Sequence, residues 1–282
     1  MTKKVKAAII IIFLILSGVK GYTQVKECGT VATPEYIENY KKLLQSKSGT
    51  FTSLECISRT LSVAVHIIPD SANSYIPDAM TIAACVAKLP PAFSPICLDF
   101  QVCSIDTVHS DFYLDDFLDK FLLVENIALH YNKAHTINVY FIADLPIMDV
   151  GGFATLPSTP TTEGFICVRY SAMTASTIVH EAGHYFGLLH TFETGDELAD
   201  ESNCTTAGDL ICDTNADPDS TGDFVDSNCR YFGTFVDANG DYYFPPISNI
   251  MSYYGYCRCE FSHLQYAAMA VVYHYFYQNQ LW

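Results

Sequence analysis

Basic residues are scarce in this chain: Lys and Arg number 15 against 31 Asp and Glu, a formal net charge of −16 over 282 residues. That balance argues against nucleic acid and anionic membrane surfaces as partners, since both would repel it. Internal repeats and low-complexity tracts are missing from the sequence, which excludes a solenoid or propeller and fits one compact domain with a short extension. The apolar run Ala7 to Leu16 is too short for a comfortable membrane span, and no cysteine follows it where a lipid anchor would attach. The expectation is a chain with no stable membrane association.

What stands at the N-terminus has the layout of a signal peptide: Lys3, Lys4 and Lys6, the apolar run, then small residues from Ser17 to Gly21. Cleavage near Gly18 or Gly21 would give a secreted or otherwise extracytoplasmic chain. A cut after Gly21 removes Lys3, Lys4, Lys6 and Lys20 and no acid, so the charge moves from −16 to −20 (−16 minus 4). All eleven cysteines lie beyond this region, and in an exported chain several should pair. Eleven is odd, so at least one thiol is left over.

The richest stretch is His180-Glu181-Ala182-Gly183-His184-Tyr185-Phe186-Gly187-Leu188-Leu189-His190. The residues before it, Thr174 to Val179, lack Gly and Pro and predict the first turns of a helix, with Ser171 or Thr174 as N-cap. His180 and His184 then share one helical face and can both reach a tetrahedral ion, with Glu181 directed at the open coordination position as general base. Gly187 can take positive φ, end the helix and bring His190 round as third ligand. Three neutral imidazoles leave Zn2+ dipositive, with a fourth position for a water of lowered pKa that Glu181 deprotonates. Cys28 is a candidate for the unpaired thiol: as a thiolate it could fill that fourth position and hold a zymogen silent. An N-terminal staple, with Cys28 bonded to Cys56 or another half-cystine, is the equal alternative.

The extended motif, with Ser248-Asn249-Ile250-Met251-Ser252-Tyr253 some sixty residues on, resembles the metzincin clan of zinc peptidases. Within it, His190-Thr191-Phe192, Gly208-Asp209-Leu210-Ile211-Cys212-Asp213-Thr214 and Asn249 to Tyr253 with Cys257 look most like the pappalysin family, over about Leu61 to the C-terminus. The resemblance implies a methionine turn at Met251 beneath the zinc. It also implies a calcium site (Ca2+) with ligands from Asp209, Thr214 and the carbonyl of Cys212. For Tyr253 it implies a hydrogen bond to the tetrahedral oxyanion, against a plain buried aromatic. Where the family usually has proline after Asp-Thr, this chain has Asn215. By the same resemblance Cys204 pairs with Cys229, and Cys212 with Cys257 or Cys259. Residues Ser252 to Cys259 would line the first pocket beyond the scissile bond, and many relatives prefer basic side chains there.

Along the chain, 1–21 reads as the signal peptide, 22–59 as an N-terminal extension or pro-segment with a helix from Pro34 to Gln45, and 60–282 as the catalytic domain. Leu61 to Ile68, Ile96 to Ile105, Ile137 to Ile142 and Gly164 to Arg169 read as strands; Pro77 to Leu89 and Phe117 to Tyr131 read as helices. The fold class is α+β. A mixed twisted sheet backed by helices lies above a cleft, and an irregular lower half, held by disulfides and calcium, ends in a C-terminal helix opened by the capping box Ser262 to Gln265. An extended peptide would add to the sheet edge at Gly151 to Leu156 or Gly164 to Arg169. The acids Glu193, Asp196, Glu197, Asp200 and Glu201 read first as a solvated loop, with calcium binding as the other option, and Asp237 to Asp241 as a turn. The leading function is a zinc endopeptidase acting on protein or peptide substrates as a monomer. The alternatives are a catalytically silent secreted binding protein and a zinc hydrolase of a non-peptide amide.

Overall fold

The centre of the molecule is a strand whose every side chain is buried, β4 (Ile137–Ile142, sequence INVYFI). A run apolar on both faces belongs inside a sheet covered from both sides. The structure, a computed structural model, describes residues 26–47, 54–69, 76–108, 120–143, 150–157, 164–218 and 221–282. The signal-peptide reading of 1–21 lies outside the described residues, as does the start of the helix expected at Phe117.

Six strands form one mixed sheet: β1 (Lys26–Cys28), β2 (Arg59–Ile68), β3 (Leu98–Thr107), β4, β5 (Val150–Ala154) and β6 (Phe165–Arg169), in the order β1-β5-β6-β4-β2-β3. β2, β3, β4 and β6 are parallel to one another, β5 runs antiparallel to β6, and β1 runs parallel to β5. β6 is therefore an inner strand, and of the two edges expected only the β5 segment would be one without β1. β1, from the N-terminal extension, already covers it.

Period-two alternation divides the sheet's side chains between two cores. Val139, Phe141, Ile166 and Val168 join the larger core with Ile178 and Val179 of α5 (Thr177–Tyr185), while Tyr140, Ile142, Phe165 and Cys167 pack on α4 (Lys120–Tyr131) through Leu123, Val124 and Ile127. The extension's helix α1 (Pro34–Ser46) starts at Thr33, whose hydroxyl caps the Tyr36 N–H, and sends Tyr40 into the larger core. The apolar stretch Ala79–Ile96 has enough length and apolarity to pass for a membrane helix. It folds as α2 (Ala79–Val86), α3 (Leu89–Phe93) and a 3₁₀ turn, with Leu89, Phe93 and Ile96 fully inside the protein core.

Below the sheet, the described residues of 191–262 carry isolated bridges, turns and one 3₁₀ turn (Gly255–Cys257), in keeping with the poor periodicity of Thr191 to Pro246. Its disulfides differ from the expected pairs: they are Cys204–Cys212 and Cys229–Cys257, with Cys259 free. The reach is local, since Cys204 and Cys212 stand eight residues apart on one turn-rich segment. A third disulfide, Cys56–Cys97, removes Cys56 as a partner for Cys28. The last helix, α6 (His263–Val272), opens with the reciprocal Ser262 and Gln265 capping box that the sequence predicts. It passes at Tyr273–Tyr277 into a π-helical turn.

Candidate metal centre

α5 begins three residues later than Thr174, with Ser176 as its N-cap and no side-chain capping bond. The cause is the preceding chain: Ala175 N–H bonds the Ala172 carbonyl, and Lys88 Nζ takes the carbonyls of Met173 (2.7 Å) and Ala175 (2.6 Å), keeping 172–175 in turns. The nine helical residues are all buried, which brings two imidazoles and a carboxyl into the interior together.

Gly187 has φ +97°, beyond the easy reach of an L side chain, and its Cα faces Val272 so closely that a Cβ would lie 2.7 Å from Cγ2. The chain turns back there, and His190 returns to the helix. His184 Nε2 then lies 3.2 Å from His180 Nε2 and 3.1 Å from His190 Nε2. Each outer nitrogen is engaged: His180 Nδ1–H donates to the Ile250 carbonyl (2.6 Å), His184 Nδ1–H to that of Leu188 (2.7 Å) and His190 Nδ1–H to Glu193 Oε2 (2.6 Å). These bonds fix the tautomers, so three Nε2 lone pairs face one another. Burial first, and then a neighbouring imidazole (His184 on His180, His190 on His184), holds His180 and His184 well below the usual imidazole range, so they stay neutral.

Lone pairs at such separations repel unless a cation lies among them. A tetrahedral ion with bonds of ~2.05 Å separates its ligands by about 3.3 Å, close to what the imidazoles show. Cys28 Sγ completes the set: its ligand atom and those of His180, His184 and His190 all lie within 4.8 Å of one another, and all four residues are buried. A donor set of one thiolate and three imidazoles suits zinc. Of the two readings of Cys28, the structure has the free thiol at the imidazoles.

Glu181 is fully buried beside this cluster. Burial pushes its carboxyl up to about 8, although Cys28 and Thr30 pull the other way. Its Oε2 accepts from Thr30 Oγ1 (3.2 Å) and lies 3.4 Å from Cys28 Sγ; its Oε1 has no partner among the described residues. Tyr253 stands edge-on to His190, ring centroids 4.9 Å apart, and its hydroxyl donates to the Cys28 carbonyl (3.2 Å). The methionine turn lies under α5: a Cβ on Gly183 would meet Met251 Sδ at 2.5 Å.

The expected calcium ligands come together only in part. Asp209 Oδ1 accepts from Thr214 Oγ1 (2.8 Å) and from the Ile211 N–H, and its Oδ2 from Gln265 Nε2 (3.1 Å). Cys212 sits in its disulfide with Cys204. The orphan oxygen is on Glu197: this side chain is buried, its Oε1 has no partner among the described residues, and a Cβ on Gly208 would fall 2.0 Å from its Oε2. Burial, then the nearby Asp209 charge, pushes Glu197 up to about 8, and burial pushes Asp209 up to about 7. Glu197 is therefore no solvated loop residue. A buried carboxylate oxygen without a proton donor is a position a calcium ion fits.

Two participants were not visible from sequence, Thr30 and Arg258, whose Nη1 lies 3.2 Å from His180 Nδ1, and a third, Glu197, had been placed in a solvated loop. The signal for Glu197 was Gly208, the one residue type that leaves room for it.

The family model described as pregnancy-associated plasma protein-A, peptidase M43, matches residues 124–273. An extracellular metalloprotease of Podospora anserina is 27% identical over 203 residues, 64% of each chain. One from Colletotrichum graminicola is 29% identical over 207 residues, 65% of this chain and 68% of its own. A third, from Sordaria macrospora, is 26% identical over 212 residues, 67% and 69% of the two chains. The aligned region thus spans about two thirds of these relatives. The family match takes in more than half of the present chain, including the three converging imidazoles and the turn beneath them, and the protein belongs to the pappalysin family of metallopeptidases.

Proposed function

We propose that this chain is a secreted zinc endopeptidase held latent by its own N-terminal extension. The observation that carries the reading is the buried convergence of three Nε2 lone pairs beside the carboxyl of Glu181. His180, His184 and His190 would hold zinc, which when bound would supply a Lewis acid for water and for the scissile carbonyl. Glu181 takes the proton of the attacking water and passes it to the leaving amine. Its burial favours the role, because a carboxyl raised toward neutrality is a stronger base. Tyr253 donates its hydroxyl to the developing oxyanion once that hydroxyl is released from the Cys28 carbonyl. Backbone groups of β5 take an extended peptide as an added strand.

Residues 26–30 occupy each of these functions. Cys28 Sγ lies with the three imidazoles and would hold the metal with them, Thr30 bonds the base, the Cys28 carbonyl engages Tyr253, and β1 covers the peptide edge. The extension is further anchored by Tyr36, whose hydroxyl donates to the Gly187 carbonyl (2.9 Å). A cut after Arg59 would leave the segment tethered through Cys56–Cys97, so we place the releasing cut between Lys47 and Cys56. Calcium, held by Glu197 with Asp209 and Thr214, would brace the lower half.

The test is hydrolysis of a mixed peptide library by the processed, zinc-loaded chain beside Glu181→Gln. Loss of the base should lower the rate by about 10²–10⁴-fold with zinc content unchanged, and a chelator should remove the activity of the wild type. Turnover that survives both treatments would sink the reading.

A further inference from the structure

We propose that Arg258 is a positioning residue: its guanidinium holds the segment after the methionine turn so that the Tyr253 hydroxyl is aimed at a peptide oxygen in the cleft. The inference deepens the endopeptidase reading and rests on it.

Tyr253 stands on a short irregular loop, between Met251 and the 3₁₀ turn Gly255–Cys257. A side chain on such a loop keeps one position only when bonds outside any helix or strand ladder fix the backbone beneath it. Arg258 supplies two of them. Its Nε donates to the Gly255 carbonyl (3.0 Å) and its Nη1 to the Ser252 carbonyl (3.0 Å), so one planar group ties the residue before Tyr253 to the residue two after it. The guanidinium is nine-tenths buried, and its Nη1 also lies 3.2 Å from His180 Nδ1, which sets the loop against the first imidazole. Gly222 packs on the Tyr253 carbonyl so closely that a Cβ there would overlap it. The loop is thus tied across its own ends and backed by a neighbouring chain.

The position held in this way faces the reacting centre. The Tyr253 ring lies against His190 and His180, centroids 4.9 and 6.1 Å away, and its hydroxyl donates to the Cys28 carbonyl (3.2 Å). Cys28 pairs with Gly152 on β5, so that carbonyl belongs to a backbone lying along the sheet edge, where the proposed reading puts a substrate peptide. The hydroxyl already addresses a peptide oxygen beside the imidazoles. Lysine could not reproduce the hold, because an ammonium on a flexible stem is a point charge, whereas the guanidinium presents separate N–H groups in fixed directions. Arg258→Lys therefore keeps the charge, which also reaches Glu181, and removes the two-point tie.

The test is a double-mutant cycle on the zinc-loaded chain nicked between Lys47 and Cys56: Tyr253→Phe, Arg258→Lys and the two together. Tyr253→Phe should lower kcat by about 10²-fold with KM nearly unchanged, the effect of losing one oxyanion donor. Arg258→Lys should lower kcat by about tenfold with KM and zinc content unchanged, since a hydroxyl out of place by about 1 Å loses much of its hold on a charge present only in the transition state. The double variant should match Tyr253→Phe within about twofold, because nothing is left to position. Losses that multiply to about 10³-fold, as general damage to the site would give, overturn the inference. Full activity of Arg258→Lys also overturns it, by showing that charge alone is used. A second readout needs no turnover. On Glu181→Gln protein, Arg258→Lys should speed amide hydrogen exchange across 252–258 by at least about tenfold and leave α5 unchanged; unchanged exchange in the loop overturns the hold. If the wild type cuts no peptide, the peptidase reading fails, and the exchange measurement decides by itself whether Arg258 fixes the Tyr253 loop.

Discussion

The clearest titrating residue away from the clustered imidazoles is His66, on β2. It is buried, stacked on Tyr140 at 4.6 Å between centroids, and its Nε2–H donates to Asn138 Oδ1 (2.9 Å). Its Nδ1 has no partner among the described residues, so a second proton would be buried unpaired. Burial accordingly holds its pKa below the usual imidazole value. The sign follows: a depressed folded pKa gives stability that is complete above the unfolded value of about 6.5 and lost as pH falls through the folded one. His66→Phe keeps the stack and leaves Asn138 Oδ1 with the Lys133 N–H (2.8 Å), so its melting temperature should fall less than wild type between about pH 7.5 and 5. Parallel curves would remove His66 from the account. At this scale sequence legibility divides by range. His180, His184 and His190 could be read because helix periodicity and one glycine bring them together. Thr30 and Arg258 could not, because they arrive from 151 and 78 residues away in the chain. Glu197 was misread because a run of acids resembles a solvated loop until its neighbours are placed.

Elements were more legible than their connections. Strong apolar runs marked β2, β3, β4 and β6, and the Ser262 capping box marked the start of α6. The disulfide pairs escaped because partner choice depends on loop paths that cysteine positions do not encode. β1 escaped too: three residues carry no usable period, and the strand exists only because β5 offers an open edge. That short strand carries the proposed latency. Cys28→Ser in the unprocessed chain should raise peptide hydrolysis at least tenfold over the unprocessed wild type, since a serine hydroxyl is a far weaker zinc ligand than a thiolate. The rate should remain below that of the processed chain, because Thr30 still bonds Glu181 and β1 still covers the edge. Equal rates for the two unprocessed proteins would put the block elsewhere in the extension. The contact between α5 and the methionine turn has its own test. Gly183→Ala forces a methyl against Met251 Sδ and Phe261 Cε1 and should cost about 1–3 kcal/mol in denaturant unfolding. An unchanged midpoint would mean that the thioether swings aside.

The two halves of the whole molecule are held by different means. The sheet half has two apolar cores, whereas 191–262 has almost no regular elements among its described residues; it lends Leu210, Ile211, Ile250, Met251 and Phe261 to the larger core and otherwise relies on turns, two disulfides and buried polar groups. Gln265 is the junction among those groups: its Nε2 bonds Asp209 and Asn249, and its Oε1 accepts from Ser262 N–H and Asn249 Nδ2. The weak point is Glu197, a carboxyl kept from water with one oxygen unpartnered and with Asp209 raising its cost of ionisation. A cation there would turn an unfavourable group into a ligand, so the stability of the lower half should depend on calcium. At a free concentration of ~100 times Kd, binding to the folded state alone adds about 2.7 kcal/mol, which for a domain of this size raises the melting temperature by about 5–10 °C. Glu197→Gln should melt no lower than wild type without calcium, because it removes a buried acid, and should show little of the calcium increment. Magnesium should substitute poorly, since a loop-built oxygen site of flexible geometry favours the larger ion. A melting temperature indifferent to calcium in the wild type would mean that Glu197 stays protonated in the fold and that the lower half stands on its disulfides, the Gln265 junction and its share of the larger core.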